Sequence, residues 1–574
     1  GAVLDDICAD DVGCTDNGSA YTFSDEASTA VDLKLSANSL RFGDELKANL
    51  RLSVGGITPP SSQLKGQVVS LKTTDPFGTY IVYPVTLDAT GEGVFETSIP
   101  VDTLGTWTIQ AFYEGSKQWG SSQSPEQSVV VNSQPGYAVI IEGNVHSPGS
   151  AEEKSTRKTA DRILDLLISR GFRPNNIFYF VQEVGKQDLG TPATLSNIYE
   201  GLKVLQKEAS SRPAPIHFFL AGHAAPGGTF YLNPDQGPGG LPETVSAAQI
   251  DEWLNFLERD KRILAWPRSV IIGTPYSGSF IEGLSSPDRP GRVIVTGTTA
   301  TGPAFKGPRE LDGIPSGSYF LDELLTQWAR GFDLGRSFQA ARNRTERITR
   351  ADDSVLTQDR QSVNNARQRP LLDDNGDDRG SHTLSAVQEA DGAIAARLYL
   401  GFGPTQEDDG FEVTETQYLS EPAKQRLTVT LDNTGLPDQW SVALRAPGIV
   451  LPVANGSPEP FDLPLKTAPM TLDPQSKDLV YEYPANFDNP GKYEAWYWGG
   501  NLFGGGRETI SKRSVVFVDR LGNQPPLVVA LQQPADGARG IGTRPTFGWS
   551  ETLDPDKDAV SYRILVSETS SQRD

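Results

Sequence analysis

The chain has 574 residues, more than one hydrophobic core usually serves, so several domains are expected. Its 51 basic and 73 acidic residues give a net charge of −22. This charge argues against nucleic acid or an anionic membrane as the main partner, because both need a basic protein face. No apolar run approaches the ~20 residues of a membrane-spanning helix, and the composition is typical of a globular chain.

The first segment, residues 1–27, is polar, acidic and without periodicity, which predicts an N-terminal extension. It contains both cysteines of the chain, Cys8 and Cys14. Such sparse cysteine usage indicates an oxidising, extracellular or cell-surface compartment, where we expect this pair to form a small disulfide loop. Because no signal-peptide pattern follows Gly1, we expect any such peptide to have been removed already.

Residues 28–134 show short alternating runs between turn signals, such as QVVSLKTT and GTWTIQAFYEG. Strands of this length and spacing predict a β-sandwich. The GTWTIQAFYEG segment and the VVVN strand after it resemble the bacterial immunoglobulin-like modules of surface proteins. That resemblance implies a spacer or adhesive role.

A different pattern fills residues 135–403, where continuous apolar strands alternate with amphipathic helices. The strands include YAVIIEG (137–143), IHFFLAG (216–222), SVIIG (269–273) and RVIVTGT (292–298). Strands that are apolar throughout are buried on both faces, and their alternation with helices predicts a mostly parallel sheet with helices on both sides. This region is therefore predicted to be a central α/β domain.

The pattern returns to short alternating strands in residues 404–522, which predicts a second immunoglobulin-like sandwich. Residues 523–574 resemble the start of a fibronectin type III or cadherin-like module, so we expect the native chain to continue beyond Asp574. The predicted fold class is thus multi-domain, with an α/β domain flanked by all-β sandwiches.

Two segments of the α/β domain carry a family resemblance, FFLAGHA (218–224) and VIIGTPYSGSF (270–280). They resemble caspase-like cysteine peptidases of the legumain type. In that family the first strand ends in His-Gly and supplies the base, and the next supplies the cysteine before Ser-Gly-Ser. TRKTADR, RVIVTGTTA and RPLLDDNGDD with DGAIAARLYLG extend the resemblance over about 136–403. It implies a caspase-like fold with His223 at the position of the base.

The chain departs from this family at the nucleophile, where Pro275 stands in place of the cysteine. Proline has no thiol, and it also removes a backbone N–H that could help to form an oxyanion hole. Ala224 replaces the glycine after the histidine. The sequence therefore predicts an inactive pseudopeptidase in which His223 is a vestigial base. The alternative is a divergent hydrolase that uses the hydroxyl of Ser277 or Thr274.

Other candidate site residues follow from the same comparison. Arg157 matches the arginine that lines the substrate pocket in legumain-type enzymes, and His146 lies in a loop near the same crevice edge. His217 falls within a buried strand and His382 in a polar loop. Since these four histidines show no metal-ligand spacing, no zinc site is predicted.

Two acidic clusters have oxygen-bearing residues at alternate positions: Asp373, Asn375 and Asp377 in DDNGDD, and Asp554, Asp556 and Asp558 in DPDKD. Alternate spacing allows such side chains to converge on one Ca²⁺, so both clusters are candidate calcium sites. Solvated acidic turns are the alternative. Asp378 weakens the first candidate, because an EF-hand needs glycine at that position.

From these features we expect an extracellular or cell-surface pseudopeptidase that serves as a structural scaffold, assembly or binding module. Its partners would be other proteins or copies of itself, and calcium is the one cofactor predicted. A building block of a sheath or filament is a third interpretation that overlaps the first.

Overall fold

The computed structural model describes residues 27–42, 44–54, 64–88, 92–95, 103–146, 149–182, 190–234, 241–309, 312–349, 367–385, 387 and 390–405. Beyond residue 405 it describes residues 412–421, 424–432, 439–445, 456–463, 466–472, 479–483, 491–500, 512–518, 529, 531–534, 545–550 and 552. The predicted disulfide between Cys8 and Cys14 and the cluster of Asp554, Asp556 and Asp558 lie outside these residues. Within the described ranges, the helices are too short or too polar to cross a membrane.

The described part of the N-terminal domain consists mainly of β-strands. Its strands are β1 (Thr29–Leu35), β2 (Ser39–Arg41), β3 (Ala48–Val54), β4 (Val68–Thr74), β5 (Tyr80–Thr86), β6 (Glu92–Phe95), β7 (Gly105–Tyr113), β8 (Ser122–Gln123) and β9 (Gln127–Asn132). They form sheets in the orders β1-β3-β6 and β2-β9-β7-β4-β5, with β8 paired to β7. Alternate residues of β7 are buried, as the period of a half-buried strand requires, and both sheets contribute to one core.

The α/β domain follows. Its strands are β10 (Tyr137–Glu142), β11 (Ile177–Val181), β12 (Thr191–Pro192), β13 (Ile216–Ala221), β14 (His223–Ala225), β15 (Thr229–Asn233), β16 (Glu243–Ser246), β17 (Arg268–Ile272), β18 (Arg292–Thr296), β19 (Phe305–Lys306) and β20 (Leu371–Asp373). Its helices are α1 (Ala151–Ser169), α2 (Leu195–Ser211), α3 (Ala247–Glu258), α4 (Lys261–Leu264), α5 (Ile281–Leu284), α6 (Tyr319–Ala329) and α7 (Leu334–Ile348). Short 3₁₀ helices lie at Pro174–Asn176, Ser277–Phe280 and Ala395–Arg397.

The main sheet of this domain has seven strands in the order β12-β11-β10-β13-β17-β18-β20. The strands from β12 to β18 are parallel, and only β20 runs antiparallel to its neighbour. Every residue of β10, β13, β17 and β18 is buried. Apolar side chains of α2 and α3 cover one face, and those of α1, α6 and α7 cover the other. A mainly parallel sheet with helices on both faces is thus present, as the strand and helix pattern predicted.

A buried ion cluster joins α3 to two neighbouring strands of the sheet. Glu258, the last residue of α3, accepts hydrogen bonds from Arg268 Nε at 3.0 Å and from Arg292 Nε at 2.8 Å. Its second oxygen accepts another from Arg292 Nη2 at 2.7 Å. The side chains of Glu258 and Arg268 are 0% exposed, so these charges depend on each other for compensation. We call these three residues the Glu258 cluster.

In the C-terminal region, the described elements are again β-strands. Its strands are β21 (Glu412–Glu421), β22 (Lys424–Asp432), β23 (Gln439–Arg445), β24 (Phe461–Asp462), β25 (Lys466–Leu472), β26 (Leu479–Tyr483), β27 (Gly491–Gly500), β28 (Lys512–Val518), β29 (Leu531–Gln533) and β30 (Gly548–Trp549). Seven of them pair antiparallel in the order β21-β22-β26-β25-β23-β27-β28. β29 pairs with β30, whereas β24 leaves the sheet and pairs with β19 of the α/β domain.

Candidate functional site

The carboxyl ends of β13 and β17 meet at one edge of the main sheet. These strands are parallel neighbours, and Leu220 of β13 pairs with Ile272 of β17. His223 and Pro275 each follow three residues after that pair, so both lie at the same end of adjacent strands. The relative placement predicted for these two residues is therefore present. In parallel α/β sheets this edge is where loops open a ligand crevice.

The turn that carries Pro275 is tightly held and buried. Tyr276 adopts a left-handed conformation, with φ of 56°, and its N–H donates to the carbonyl of Gly302 at 3.1 Å. Ser277 then starts a 3₁₀ helix, and its hydroxyl accepts a hydrogen bond from the Thr298 N–H at 3.2 Å. A left-handed residue without glycine's freedom is uncommon, so the surrounding contacts fix this turn.

Neither candidate hydroxyl is arranged as a nucleophile. Thr274 and Ser277 are both 0% exposed. The Thr274 hydroxyl has no hydrogen-bond partner among the described residues, and neither ring nitrogen of His223 makes a well-aligned hydrogen bond there. A serine or threonine nucleophile needs a base within hydrogen-bond reach of its oxygen. Among the described residues, neither Thr274 nor Ser277 forms a hydrogen-bonded pair with His223.

Three ionisable side chains converge beside this turn: His146, His223 and Glu459. The Nε2 atom of His146 lies 2.5 Å from Oε1 of Glu459, without the alignment of a hydrogen bond, and Nδ1 of His223 lies 3.4 Å from the same oxygen. The two imidazole rings meet edge to face with centroids 5.1 Å apart. We call these residues the His–His–Glu cluster.

Each member of the cluster is positioned by a different part of the chain. His146 follows β10 in a loop held by Asn144, whose amide oxygen accepts from the His146 N–H at 2.8 Å and whose amide nitrogen donates to the His146 carbonyl at 2.9 Å. His223 begins β14 and pairs with Tyr231 of β15. Glu459 comes from the C-terminal region, far away in sequence. The cluster therefore exists only when that region meets the α/β domain.

Burial governs the ionisation of His223 and Glu459. Burial, with the neighbouring His146 and Lys306 as smaller causes, lowers the pKa of His223 to about 3. Burial also raises the pKa of Glu459, against the opposing effects of His146 and Lys306. His223 is 1% exposed, so its imidazole is neutral at physiological pH.

Residues 456–463, which we call the strap, bring Glu459 across the sheet edge. At one end the Gly456 N–H donates to the Tyr276 hydroxyl at 2.7 Å. At the other end β24 adds parallel to β19, with Phe461 beside Phe305 and its N–H donating to the Ala304 carbonyl at 2.8 Å. The strap thus spans from the turn at Pro275 to β19.

Charge and aromatic contacts also hold the far end of the strap. Asp462 accepts a hydrogen bond from Arg309 Nη2 at 2.6 Å, and its other oxygen lies 3.9 Å from Lys306 Nζ. The Phe305 and Phe461 rings pack with centroids 6.1 Å apart. The Arg309–Asp462 pair is exposed, and exposed ion pairs contribute little to stability, so the aromatic packing contributes more than this pair to the strap contact.

Arg157, predicted to line a substrate pocket, forms ion pairs with the acidic side chains of Glu142 and Glu153. Its Nε donates to Oε2 of Glu142 at 2.6 Å, and Nη2 lies 3.5 Å from Glu153. Glu142 ends β10 and is 0% exposed, and burial raises its pKa to about 7 against the effect of Arg157. The arginine compensates a buried carboxylate, and its role in lining a substrate pocket stays a prediction.

The histidines outside the cluster have structural partners. His217 is 0% exposed in β13, with Nδ1 2.8 Å from the Ser269 hydroxyl and its ring edge-on to Trp328. His382 places Nδ1 2.9 Å from the Pro370 carbonyl. Sequence reasoning grouped neither with the site, and the structure agrees. It missed Glu459 and Tyr276, whose roles depend on a long-range contact that leaves no local pattern.

The acidic loop after β20 uses its side chains to cap backbone groups. Asp373 accepts from the Gly376 N–H at 3.0 Å, Asn375 from the Asp377 N–H at 3.0 Å, and Asp377 from the Arg379 N–H at 2.9 Å. Asp373 is 1% exposed, and burial raises its pKa to about 6. Its Oδ2 atom has no hydrogen-bond partner among the described residues. Calcium at this loop stays a prediction.

If the loop binds calcium, excess Ca²⁺ will raise the melting temperature above that in EDTA, because an ion that binds only the folded loop stabilises it by mass action. Asp373→Ala should remove the difference. The matched control is Asp288→Ala, at an exposed aspartate in a neighbouring loop, which should leave it intact. Coincident melting curves for the unsubstituted protein would identify the loop as a solvated turn.

Comparisons with known proteins give little guidance. No family model matches the chain, and no curated protein matches it. Among solved structures, the CARDB domain of a Pyrococcus furiosus protein in complex with di-metal ions is 16% identical, and the match covers 21% of this chain and 99% of that chain with a TM-score of 0.14. A tetra-tandem repeat from the extending region of a large adhesion protein is 9% identical, and the match covers 92% of this chain and 89% of that chain with a TM-score of 0.15. A polysaccharide deacetylase from Bacillus cereus is 10% identical, and the match covers 42% of this chain and 69% of that chain with a TM-score of 0.18. Scores this low carry no argument about the fold or the function.

Proposed function

We propose that this chain is an extracellular or cell-surface pseudopeptidase, whose caspase-like α/β domain serves as a scaffold and binding module. The observation that carries the proposal is the composition of the crevice edge beside His223. Pro275 stands where a legumain-type peptidase would need its thiol, and the strap crosses the same edge. The domain would hold its own C-terminal region in the place where a peptidase holds a substrate.

The chemistry of the turn supports a role without catalysis. A thiolate is the nucleophile of a cysteine peptidase, and the chain has no cysteine after Cys14. The hydroxyl alternative loses support because Ser277 accepts a backbone hydrogen bond and both candidate hydroxyls are fully buried. His223, with a pKa lowered by burial, would also be a weak base.

The contacts of the strap support a role in docking. Main-chain pairing between β24 and β19 is the mode by which many domains bind extended peptides, and here the peptide belongs to the same chain. The N-terminal domain is docked as well, since the Ser39 hydroxyl donates to the Gly401 carbonyl at 2.6 Å. An α/β domain that contacts both flanking β regions is suited to fix their arrangement.

The function is tested by assaying the full chain for peptide hydrolysis and for docking of the strap. We expect no turnover of a mixed peptide library and no labelling of the α/β domain by a thiol-reactive probe. In hydrogen exchange, residues 456–463 should be protected, and Tyr276→Phe, which removes the hydroxyl that meets Gly456, should reduce that protection. Ser124→Ala, in the N-terminal domain, is the control for loss of a hydroxyl and should leave it unchanged. Turnover that Ser277→Ala or Thr274→Ala abolishes would overturn the proposal, as would an unprotected strap.

A further inference from the structure

The His–His–Glu cluster has the composition of a metal site. Imidazole nitrogens and carboxylate oxygens are zinc ligands, and two histidines with one glutamate form a known three-ligand set. In the described part of the chain, the ligand atoms of His146, His223 and Glu459 lie within 4.8 Å of one another. No other group of three histidine, cysteine or acidic residues there meets that criterion.

The distances fit a tetrahedral ion after a small adjustment. Bonds of about 2.0–2.1 Å at tetrahedral angles place ligand atoms about 3.3 Å apart. The separation of 3.4 Å between His223 Nδ1 and Glu459 Oε1 already has this value. The 2.5 Å between His146 Nε2 and the same oxygen must open by about 1 Å. The side chains of His146 and Glu459 are 26% and 28% exposed, which leaves them room to move.

A second observation points to a ligand at this place. His223 is 1% exposed, yet neither of its ring nitrogens has a well-aligned hydrogen-bond partner among the described residues. The Pro458 carbonyl of the strap approaches the ring without that alignment. Burying a polar group without a partner is costly, so native structures usually satisfy it. A metal bound at Nδ1 would satisfy this nitrogen.

The surrounding charges permit a divalent cation. Because histidine binds a metal as the neutral imidazole, the three ligands would contribute a single negative charge, and Glu152 adds a second acidic group near Glu459. Lys306 is a cation near the cluster, and Asp462, with Oδ1 3.9 Å from its Nζ, partly compensates its charge. The site is therefore neither strongly acidic nor blocked by positive charge.

We propose that His146, His223 and Glu459 bind one Zn²⁺ ion that pins the strap to the α/β domain. One ligand comes from the loop after β10, one from the first residue of β14 and the third from the strap, so the ion closes the contact between two regions of the chain. Water would complete the tetrahedron at the exposed side of His146 and Glu459. The proposal depends on the strap contact of the proposed function and is independent of whether the chain is catalytic.

The test uses untagged protein carrying Cys8→Ser and Cys14→Ser, so that neither a cysteine thiol nor a purification tag can bind zinc. After chelation and dialysis, we expect one equivalent of Zn²⁺ to bind. Co²⁺ in its place should give the intense visible absorption of a tetrahedral site. His146→Ala and Glu459→Gln should each weaken zinc binding by at least about 100-fold, because loss of even an outer-sphere partner commonly costs 10–100-fold. His382→Ala and Glu200→Gln, at a glutamate 67% exposed on a helix surface, are the controls and should bind as the parent does.

Hydrogen exchange separates this proposal from the proposed function. Zinc should slow exchange in residues 456–463 of the parent and leave the Glu459→Gln variant unchanged. Protection of the strap without any zinc binding would keep the docking and overturn the metal site. An unprotected strap in the metal-free protein that zinc does protect would support the metal site and overturn docking by the contacts of the strap alone. Zinc binding that survives both ligand substitutions would also overturn the proposal.

Discussion

Replacing Glu258 with glutamine should lower the free energy of unfolding of the α/β domain by about 3–5 kcal/mol, the largest loss expected from one isosteric change. The side chain accepts from Arg268 and Arg292, and both guanidinium groups are almost fully buried. Without the carboxylate, two positive charges remain in a poorly solvating interior. Asp251, at 2.7 Å from Arg292, compensates only one of them.

Hydrogen exchange in β17 and β18 measures this loss locally, which matters because a multi-domain chain need not unfold in one step. Glu200→Gln is the matched control, since Glu200 is 67% exposed and pairs with Lys203 on a helix surface. Its effect should stay below about 1 kcal/mol. Adding Arg268→Leu and Arg292→Met to Glu258→Met should recover part of the loss, because buried ion pairs can be replaced by apolar groups. A loss below about 1 kcal/mol for Glu258→Gln would contradict the prediction.

Acidification should destabilise the α/β domain through His217, by about 3 kcal/mol at pH 4.5. Burial lowers the pKa of His217 to about 3 from its ordinary value of 6.5, and no charged group contributes to the shift. Below pH 6.5 His217 therefore binds a proton in the unfolded chain, whereas in the folded domain it stays neutral until the pH falls to about 3. The stability from this group is present above pH 6.5 and is lost as the pH falls toward 3.

The measurement is calorimetry between pH 7 and pH 4.5, following the transition that Glu258→Gln shifts. His217→Asn keeps an amide near the Ser269 hydroxyl and removes the titrating ring, so the pH dependence should become shallower. His217→Phe with Ser269→Ala is a second variant in case the first does not fold. His382→Asn, at a side chain 28% exposed, should change the slope much less. Equal slopes in the parent and in the folded His217 variant would refute the assignment.

The architecture of the α/β domain could be predicted because its signals are local. Continuous apolar strands such as β10 and β13 indicate burial on both faces. The ends of these strands also predict where His223 and Pro275 lie, without any long-range information. The pairing of Arg157 with Glu142 could not be predicted from the sequence, because it depends on how α1 packs beside β10. A family resemblance alone assigned that arginine to a pocket.

The His–His–Glu cluster shows where sequence reasoning fails. His146 and His223 were each placed near the crevice edge, but no spacing links them, since their proximity comes from the sheet. Glu459 had no signal at all, because it lies in a proline-rich segment, GSPEPFDLP, that carries no metal-site motif. Metal-site motifs are recognisable when one short element carries several ligands, and this cluster takes one ligand from each of three distant segments.

The pairing of β24 with β19 also sets an order of events in the making of the molecule. The strap is synthesised about 150 residues after its partner strand, which at ~5–20 residues per second is a delay of about 8–30 s. The α/β domain has time to fold in that interval, and until the strap arrives β19 lacks the pairing that β24 later supplies. Because the strap belongs to the same chain, its effective concentration at β19 can reach the millimolar range. It would therefore outcompete foreign peptides that are present at lower concentration. If the α/β domain docks extended peptides as proposed, a foreign peptide could pair with β19 only in the seconds before the strap is synthesised.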